Sequence, residues 1–256
     1  MTSPNIPIKI LKIGGNQVED STFLAGFVSA VEQLRTEYAV VVVHGGGKEI
    51  SDLHTQLGVT FETVEGLRVT SPESQRLVKM ALNGLVNTRL VRWLVNGGLE
   101  AVGLSGVDLG LVRVEPMVVH GVSLGRVGQV SSVNTAALLK LLEAGLLPVI
   151  SPISLGKDGF TYNVNADHVA AALAKALGAS QLVFVSNVPG VQVAGRTLRA
   201  LTIGRIEELI AQGHITGGMI PKVRSAMEAV TSGVSQAVIT DLGGLARSEG
   251  TAIIRE

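Results

Sequence analysis

Unbroken apolar runs alternate along this chain with segments whose apolar positions recur every three or four residues. That alternation predicts strands followed by helices, and hence an α/β fold. Residues 8–13 read as a strand closed by Gly14-Gly15. Phe23, Leu24, Phe27, Val28, Val31 and Leu34 then mark one face of a helix that Asp20 or Ser21 can cap. Residues 39–43 are apolar without interruption and mostly β-branched, as a strand covered on both faces requires. Gly45-Gly46-Gly47 follows, then a helix with Ile50, Leu53 and Leu57 on one face and Gly58 as its stop.

Residues 60–70 alternate loosely and predict a hairpin. Ser71-Pro72 is a helix start, a capping hydroxyl followed by proline, and the helical pattern reaches about Asn96, either continuous or broken near Gly84. Further strands are predicted at 101–104, 112–119, 127–130, 147–151, 182–186, 237–240 and 251–254, and further helices at 135–144, 167–177, 206–212 and 221–232. The alternation argues for a largely parallel sheet. No internal repeat or linker interrupts it, so residues 1–256 are expected to form one domain. A division near residue 155 follows from the positions of motifs only.

Composition narrows the classes. The chain has 256 residues, 46% hydrophobic and 16% charged, with 21 Lys plus Arg against 21 Asp plus Glu. That length and balance suit a globular chain with a sizeable core, and the zero formal charge argues against nucleic acid or a membrane surface as partner. There are no cysteines, which excludes disulfides, thiolate metal sites and cysteine nucleophiles. The first five residues lack a basic cluster and an apolar core, against a secretory signal. The most apolar helical stretch, 136–147, is interrupted by Lys140 and Glu143, and no run approaches the ~18 residues of a membrane span. A cytoplasmic location is expected.

The 31 glycines carry the chemical hint, because many follow apolar runs directly. Lys12-Ile13-Gly14-Gly15, His44-Gly45-Gly46-Gly47 and the segment 215–222, with Gly217-Gly218 before Lys222, share one design of glycine cluster and helix start. Glycine admits an anion close to the backbone N–H groups, and a helix N-terminus adds a favourable dipole. Singly, each cluster is as readily a tight turn. Together, two with a lysine beside them, they point to phosphate chemistry. The chain has neither a G-x-x-x-x-G-K-[ST] segment nor a G-x-G-x-x-G after a strand, which disfavours a P-loop and an ordinary dinucleotide fold. Ser105 lies outside any G-x-S-x-G element, and His44 reads as a hydrogen-bonded structural histidine. Each other candidate has a bland alternative: Lys12 at a strand edge, Arg68 on a hairpin surface, Asp167 as a first-turn acid, Asn163 and Asn165 as caps.

The set Lys12-Ile13-Gly14-Gly15, Val43 to Gly47, Gly66-Leu67-Arg68-Val69-Thr70, Asn163-Val164-Asn165-Ala166-Asp167, Val188-Pro189-Gly190 and Gly217 to Val223 resembles the amino acid kinase family, and within it the N-acetylglutamate kinases of arginine biosynthesis. The resemblance spans residues 8 to about 230 in the family's order. It implies a three-layer αβα sandwich around a mainly parallel sheet, with an acyl-acceptor lobe at about 1–155 and a nucleotide lobe at about 156–256. It implies that ATP, with Mg2+ carried by the nucleotide rather than by protein ligands, phosphorylates N-acetyl-L-glutamate. Lys12 and Lys222 would contact the phosphoryl group and Asp167 would hold both lysines. Gly45, Gly46, Arg68 and Asn163 would bind the acceptor. Gly14, Gly15, Asn187, Val188, Gly190, Gly217, Gly218 and Met219 would carry the nucleotide.

The chemistry agrees with the residues at hand. A carboxylate acceptor, ordinarily with a pKa of about 4.3, is already ionised at neutral pH, so no general base is needed. The obstacle is anion against anion, which lysines and aligned N–H groups offset. Three features depart from the family pattern: Asn16 after the first glycine pair, Asn187 where Asp is usual, and a short segment after Asp241 filled by 242–248. Asn187 resembles the kinases acting on carrier-protein-linked aminoadipate or glutamate, which stays an alternative, as does a catalytically silent sensor. The first strand begins within about eight residues of Met1, and an arginine-insensitive homodimer around residues 71–96 is expected.

Overall fold

In a computed structural model the structure describes residues 6–64 and 67–256. Gly66, one of the motif residues, and the N-terminal segment 1–5 lie outside the described residues, as does the side chain of Asn16.

The first half of the chain builds β1 (Ile8–Ile13), α1 (Ser21–Leu34), β2 (Ala39–His44), α2 (Gly47–Leu57), the short hairpin β3 (Thr63–Val64) and β4 (Leu67–Arg68), α3 (Pro72–Lys79), α4 (Thr88–Asn96), β5 (Ala101–Ser105), β6 (Val112–Val119), β7 (Val122–Val133), α5 (Thr135–Glu143) and β8 (Leu147–Ser151). The second half adds β9 (Ile153–Gly156), β10 (Thr161–Asn163), α6 (Ala166–Ala176), β11 (Gln181–Val185), β12 (Gln192–Val193), β13 (Arg196–Thr197), β14 (Ala200–Thr202), α7 (Ile203–Ala211), α8 (Met219–Ser232), β15 (Ala237–Thr240), α9 (Leu242–Arg247) and β16 (Thr251–Ile254).

Eight strands form one sheet in the order β14-β16-β15-β11-β1-β2-β8-β5. All its pairings are parallel except β15 with β16. β1 pairs with β2 on one side and β11 on the other, so the sheet runs unbroken through both halves of the chain.

The apolar run of β2 is explained by what lies on its two faces. Val41 and Val43 pack into one core with Val169 and Leu173 of α6 and Val223 and Ala226 of α8. Val40 and Val42 pack into the other with Leu24, Phe27 and Val31 of α1 and Leu90 and Leu94 of α4. Strand residues point alternately to the two faces, and both faces are covered, so the run 39–43 is apolar throughout. Each such Val or Leu removed from water contributes roughly 1.5–3 kcal/mol before entropy costs. Helix α1 starts where expected: Asp20 accepts from the backbone N–H of Thr22 at 2.8 Å and of Phe23 at 3.2 Å. Helix α2 ends at Gly58, whose φ of 68° is cheap only for glycine.

Several expectations need correction. Of the two readings of residues 71–96 the continuous one holds, with a difference in winding: Met80–Asn87 stays helical but winds as a π-helix, joining α3 to α4. The helix expected at 221–232 starts at Met219, so Pro221 falls in its first turn, where a missing N–H costs nothing. The helix expected at 206–212 starts at Ile203, with Thr202 capping the N–H of Arg205. The strand expected at 127–130 is the far longer β7, antiparallel to β6 with two register shifts. Together with β9 and β10, which periodicity did not reveal, these two strands close a small barrel in the order β10-β7-β6-β9. Strands of three or four residues such as Ile153–Gly156 are too short for a pattern to show.

Candidate active site

The site grows from the ends of β1 and β2. Along β1, Ile8 and Ile10 face the α6 core, and Lys12, two residues on, shares their face. Its ammonium lies 2.7 Å from Oδ1 of Asp167, and both side chains are about one-fifth exposed (20% and 19%). Asp167 sits in the first turn of α6, whose N-cap Asn165 accepts the N–H of Asp167 itself at 2.9 Å. The second carboxylate oxygen accepts from the hydroxyl of Ser225 at 2.9 Å. Ser225 lies one turn beyond Lys222 on α8, so one carboxylate ties β1 to α8. Lys222 donates to Oδ1 of Asn187 at 2.9 Å. Its pKa is lowered by burial first and by the charge of Lys12 second.

Two glycine turns complete the floor. Gly14 donates its N–H to Oε1 of Gln17 at 2.9 Å, closing a short 3-10 turn over Gly15–Glu19. Gly45 N–H donates to the carbonyl of Ile13 at 3.0 Å. A Cβ on Gly15 would stand 2.8 Å from the Cα of Gly46 and 2.8 Å from the nitrogen of Gly47, so the turns meet backbone on backbone. The first turn of α2 is fixed from beneath by Glu49, 5% exposed, which accepts from Arg89 at 2.8 Å. Arg89 also donates to the carbonyl of Val18 at 3.3 Å.

Two cavities open on this floor. A cleft of 610 Å³ is lined by Lys12, Gly14, Gly15, Asp167, Asn187 and Lys222, with Phe23 and Phe184 among its apolar walls. A smaller one of 250 Å³ is lined by Gly45, Gly46, Asn163, Asn165 and Leu82. Lys12, Gly15 and Gly47 line both. The arrangement can hold an extended polyanion in the larger cleft and a small anion in the other, with lysine charge where the two adjoin.

The remaining candidates lie apart from this floor. Arg68, half-buried and with its pKa lowered by burial, donates to the Ser51 hydroxyl at 3.0 Å and stacks 3.6 Å over the Phe61 ring. It lines neither cavity. Val188 donates its N–H to the Ser186 hydroxyl at 3.3 Å, turning the loop after β11. Gly190, at φ 146°, packs against Thr251 of β16, whose hydroxyl a Cβ would approach to 2.5 Å. Gly217, at φ 52°, and Gly218 lead into α8, and Met219 packs on the α6 core. None of these five is among the residues lining the cleft. Sequence reasoning missed Ser225, Gln17 and the Glu49–Arg89 pair. Only Ser225 carried a signal, its i+3 spacing from Lys222.

Residues 7–241 match the family model of the amino acid kinase family. The acetylglutamate kinase of Chloroflexus aurantiacus is 52% identical over 239 residues, covering 93% of this chain and 93% of that protein. The acetylglutamate kinase of Roseiflexus sp. is 50% identical over 250 residues, covering 98% and 94%. Among solved structures, smu.665 from Streptococcus mutans superposes with a TM-score of 0.82 at 32% identity, over 97% of this chain and 99% of that one. With its family model matched over most of its length and relatives near half identical, this chain belongs to the amino acid kinase family.

Proposed function

We propose that this protein transfers the γ-phosphoryl group of ATP to the γ-carboxylate of N-acetyl-L-glutamate, a step of arginine biosynthesis. The observation that carries the reading is that Lys12, Gly15 and Gly47 line both cavities. Two anionic substrates entering from opposite sides would meet at Lys12. Relatives about half identical over most of this chain are acetylglutamate kinases, which supports the substrate.

In this reading the smaller cavity takes the acceptor, with Asn163 on its amide or carboxylate and the backbone N–H of Gly46 on the reacting carboxylate; the N–H of Gly45 is held by the Ile13 carbonyl, so Gly45 contributes to the cavity wall only. Arg68 would reach the acceptor by leaving Ser51 and Phe61. The larger cleft takes the triphosphate along Gly14, Gly15 and Asn187, while Val188, Gly190, Gly217, Gly218 and Met219 shape the wall on which the nucleoside rests. We place the lobe division near residue 155, with Gly14 and Gly15 reaching the triphosphate from the acceptor lobe and Asn163 reaching the acceptor from the nucleotide lobe. Lys12 and Lys222 supply positive charge to the transferring group, whose charge is spread over its oxygens in the transition state. Asp167 holds Lys12 directly and α8 through Ser225. The donor set is lysines and backbone N–H groups, which suits phosphate oxygens; Mg2+ would arrive on the nucleotide and screen its charge. We place the enzyme in the cytoplasm as a homodimer through residues 71–96.

Hydroxamate formation from purified protein, MgATP and hydroxylamine tests the proposal, comparing N-acetyl-L-glutamate with glutamate, aspartate and N-acetyl-aminoadipate. Signal with N-acetyl-L-glutamate alone, abolished by Lys12→Ala, is expected. A folded, ATP-binding protein that gives no signal with any free amino acid would sink the reading and favour a carrier-linked acceptor.

A further inference from the structure

His44 ends β2 beside the glycine turn, is fully buried and touches neither cavity. Its Nδ1 lies 3.0 Å from the Gly45 carbonyl oxygen. Its Nε2 lies 3.0 Å from the amide nitrogen of Asn87. The same amide nitrogen donates to the carbonyl of Val149 on β8 at 2.9 Å. A carbonyl can only accept, so Val149 fixes which end of the Asn87 amide is nitrogen. That nitrogen can only donate, so Nε2 accepts, and the ring proton sits on Nδ1 and is given to Gly45. Burial favours the neutral ring this requires, holding the pKa near about 4.

The segment that presents Asn87 is built for the contact. Asn87 closes the π-helical stretch Met80–Asn87, a winding that is rare and is often found at functional sites. Leu82 and Val86 of that stretch press on the glycine turn: a Cβ on Gly46 would stand 2.7 Å from Leu82 and 3.1 Å from Val86. On the far side, Gly103 of β5 leaves room for the Asn87 carbonyl oxygen, which a Cβ there would approach to 2.2 Å. A trans peptide points its C=O and its N–H in opposite directions. Holding the Gly45 oxygen inward on the His44 ring therefore turns the N–H of Gly46 outward, toward the cavity that Gly46 lines.

We propose, building on the acceptor reading above, that His44 and Asn87 are positioning residues: they lock the Gly45–Gly46 peptide so that its N–H faces the acceptor carboxylate. The effect belongs to the acceptor side alone, because the bonded chain from Val149 through Asn87 and His44 to Gly45 ends at the smaller cavity.

Paired amide substitutions separate positioning from packing. His44→Asn places an amide nitrogen near the position of Nδ1 and keeps the donor to Gly45. His44→Gln reaches toward Nε2 and loses that donor. Asn87→Leu keeps volume and removes both donors. The expected result is a KM for N-acetyl-L-glutamate raised about tenfold in His44→Gln and Asn87→Leu, with the KM for MgATP within about twofold of wild type and His44→Asn close to wild type. Equal shifts in the two His44 variants, or equal shifts for both substrates, would overturn the proposal.

A measurement on the unmodified protein covers variants that fail to fold and does not depend on the acceptor's identity. Long-range proton–nitrogen NMR at pH 7 should show His44 neutral with its proton on Nδ1. A proton on Nε2 would overturn the proposal even if the kinase assay succeeds. The expected tautomer with no kinase activity would instead count against N-acetyl-L-glutamate as the acceptor.

Discussion

Lys12 and Asp167 meet at 2.7 Å although 155 positions separate them in the chain, and their contact joins the centre of the sheet to the first turn of α6. The other oxygen of Asp167 takes the Ser225 hydroxyl at 2.9 Å, so one side chain sets the spacing between β1, α6 and the helix that carries Lys222.

Removing that carboxylate should cost turnover more than binding. Asp167→Asn leaves Lys12 without its ionic partner and is expected to lower kcat about a hundredfold, since small misplacements of catalytic groups cost that much. Ser225→Ala removes one hydrogen bond and should lower kcat only about three- to tenfold, while Ser225→Thr, which keeps the hydroxyl, should stay near wild type. Steady-state kinetics on the three proteins would check this. A Ser225→Ala enzyme as impaired as Asp167→Asn would show that the hydroxyl does more than orient the carboxylate.

Lys222 titrates below the ordinary lysine value because burial and the charge of Lys12 both disfavour its ammonium. The charged form is the one that stabilises the transferring phosphoryl group. Activity should therefore fall as pH rises, with an alkaline limb in kcat/KM below the free lysine value of about 10.4. Bound phosphates favour the ammonium, so the limb in kcat should lie higher. Lys222→Arg should lose the limb along with most of its rate, because a guanidinium does not deprotonate in this range. A pH–rate profile unchanged in shape by Lys222→Arg would assign the limb elsewhere.

The two glycine turns are in backbone contact, and Gly15 is where that contact is tightest. A methyl group at 2.8 Å from the Cα of Gly46 has no flexible side chain to displace, so Gly15→Ala must push one turn away from the other. We expect a fold that survives and a kcat/KM at least about a hundredfold lower. Circular dichroism and the hydroxamate assay together would test it, and near-normal activity would mean that the turns separate without disturbing Lys12.

His44 makes stability depend on pH. Its folded pKa, near about 4, lies below the ordinary 6.5. In that interval the unfolded chain binds a proton that the folded protein refuses. Its contribution is full above pH 6.5, is lost progressively as pH falls to about 4, and amounts to about 3 kcal/mol in all. Urea unfolding at pH 7.5, 6, 5 and 4.5 should show the decline, and His44→Asn should flatten it even if it is less stable at pH 7.5. The same slope in wild type and His44→Asn would place the acid sensitivity in another group.

The alternation of apolar runs and helical faces determined the class of fold by itself, because burial on two faces favours unbroken apolar runs such as Val40 to Val43. Motif order determined the family, and it named Lys12, Asp167, Asn187 and Lys222 before any was seen to share a cleft. Caps and stops such as Asp20 and Gly58 were legible because their partners lie within a few residues. Partners far apart in the chain left no such mark. The barrel of β6, β7, β9 and β10, the contact of Gly15 with Gly46, and the route from Val149 through Asn87 to His44 depend on pairings that no local pattern records. The π winding at Met80–Asn87 is of the same kind: its residues suit an α-helix, and packing against the glycine turn and the middle of β5 and β8 accompanies the rarer geometry. Arg68, read as an acceptor ligand, rests on Ser51 and Phe61, a placement set by hairpin packing that its own segment does not encode.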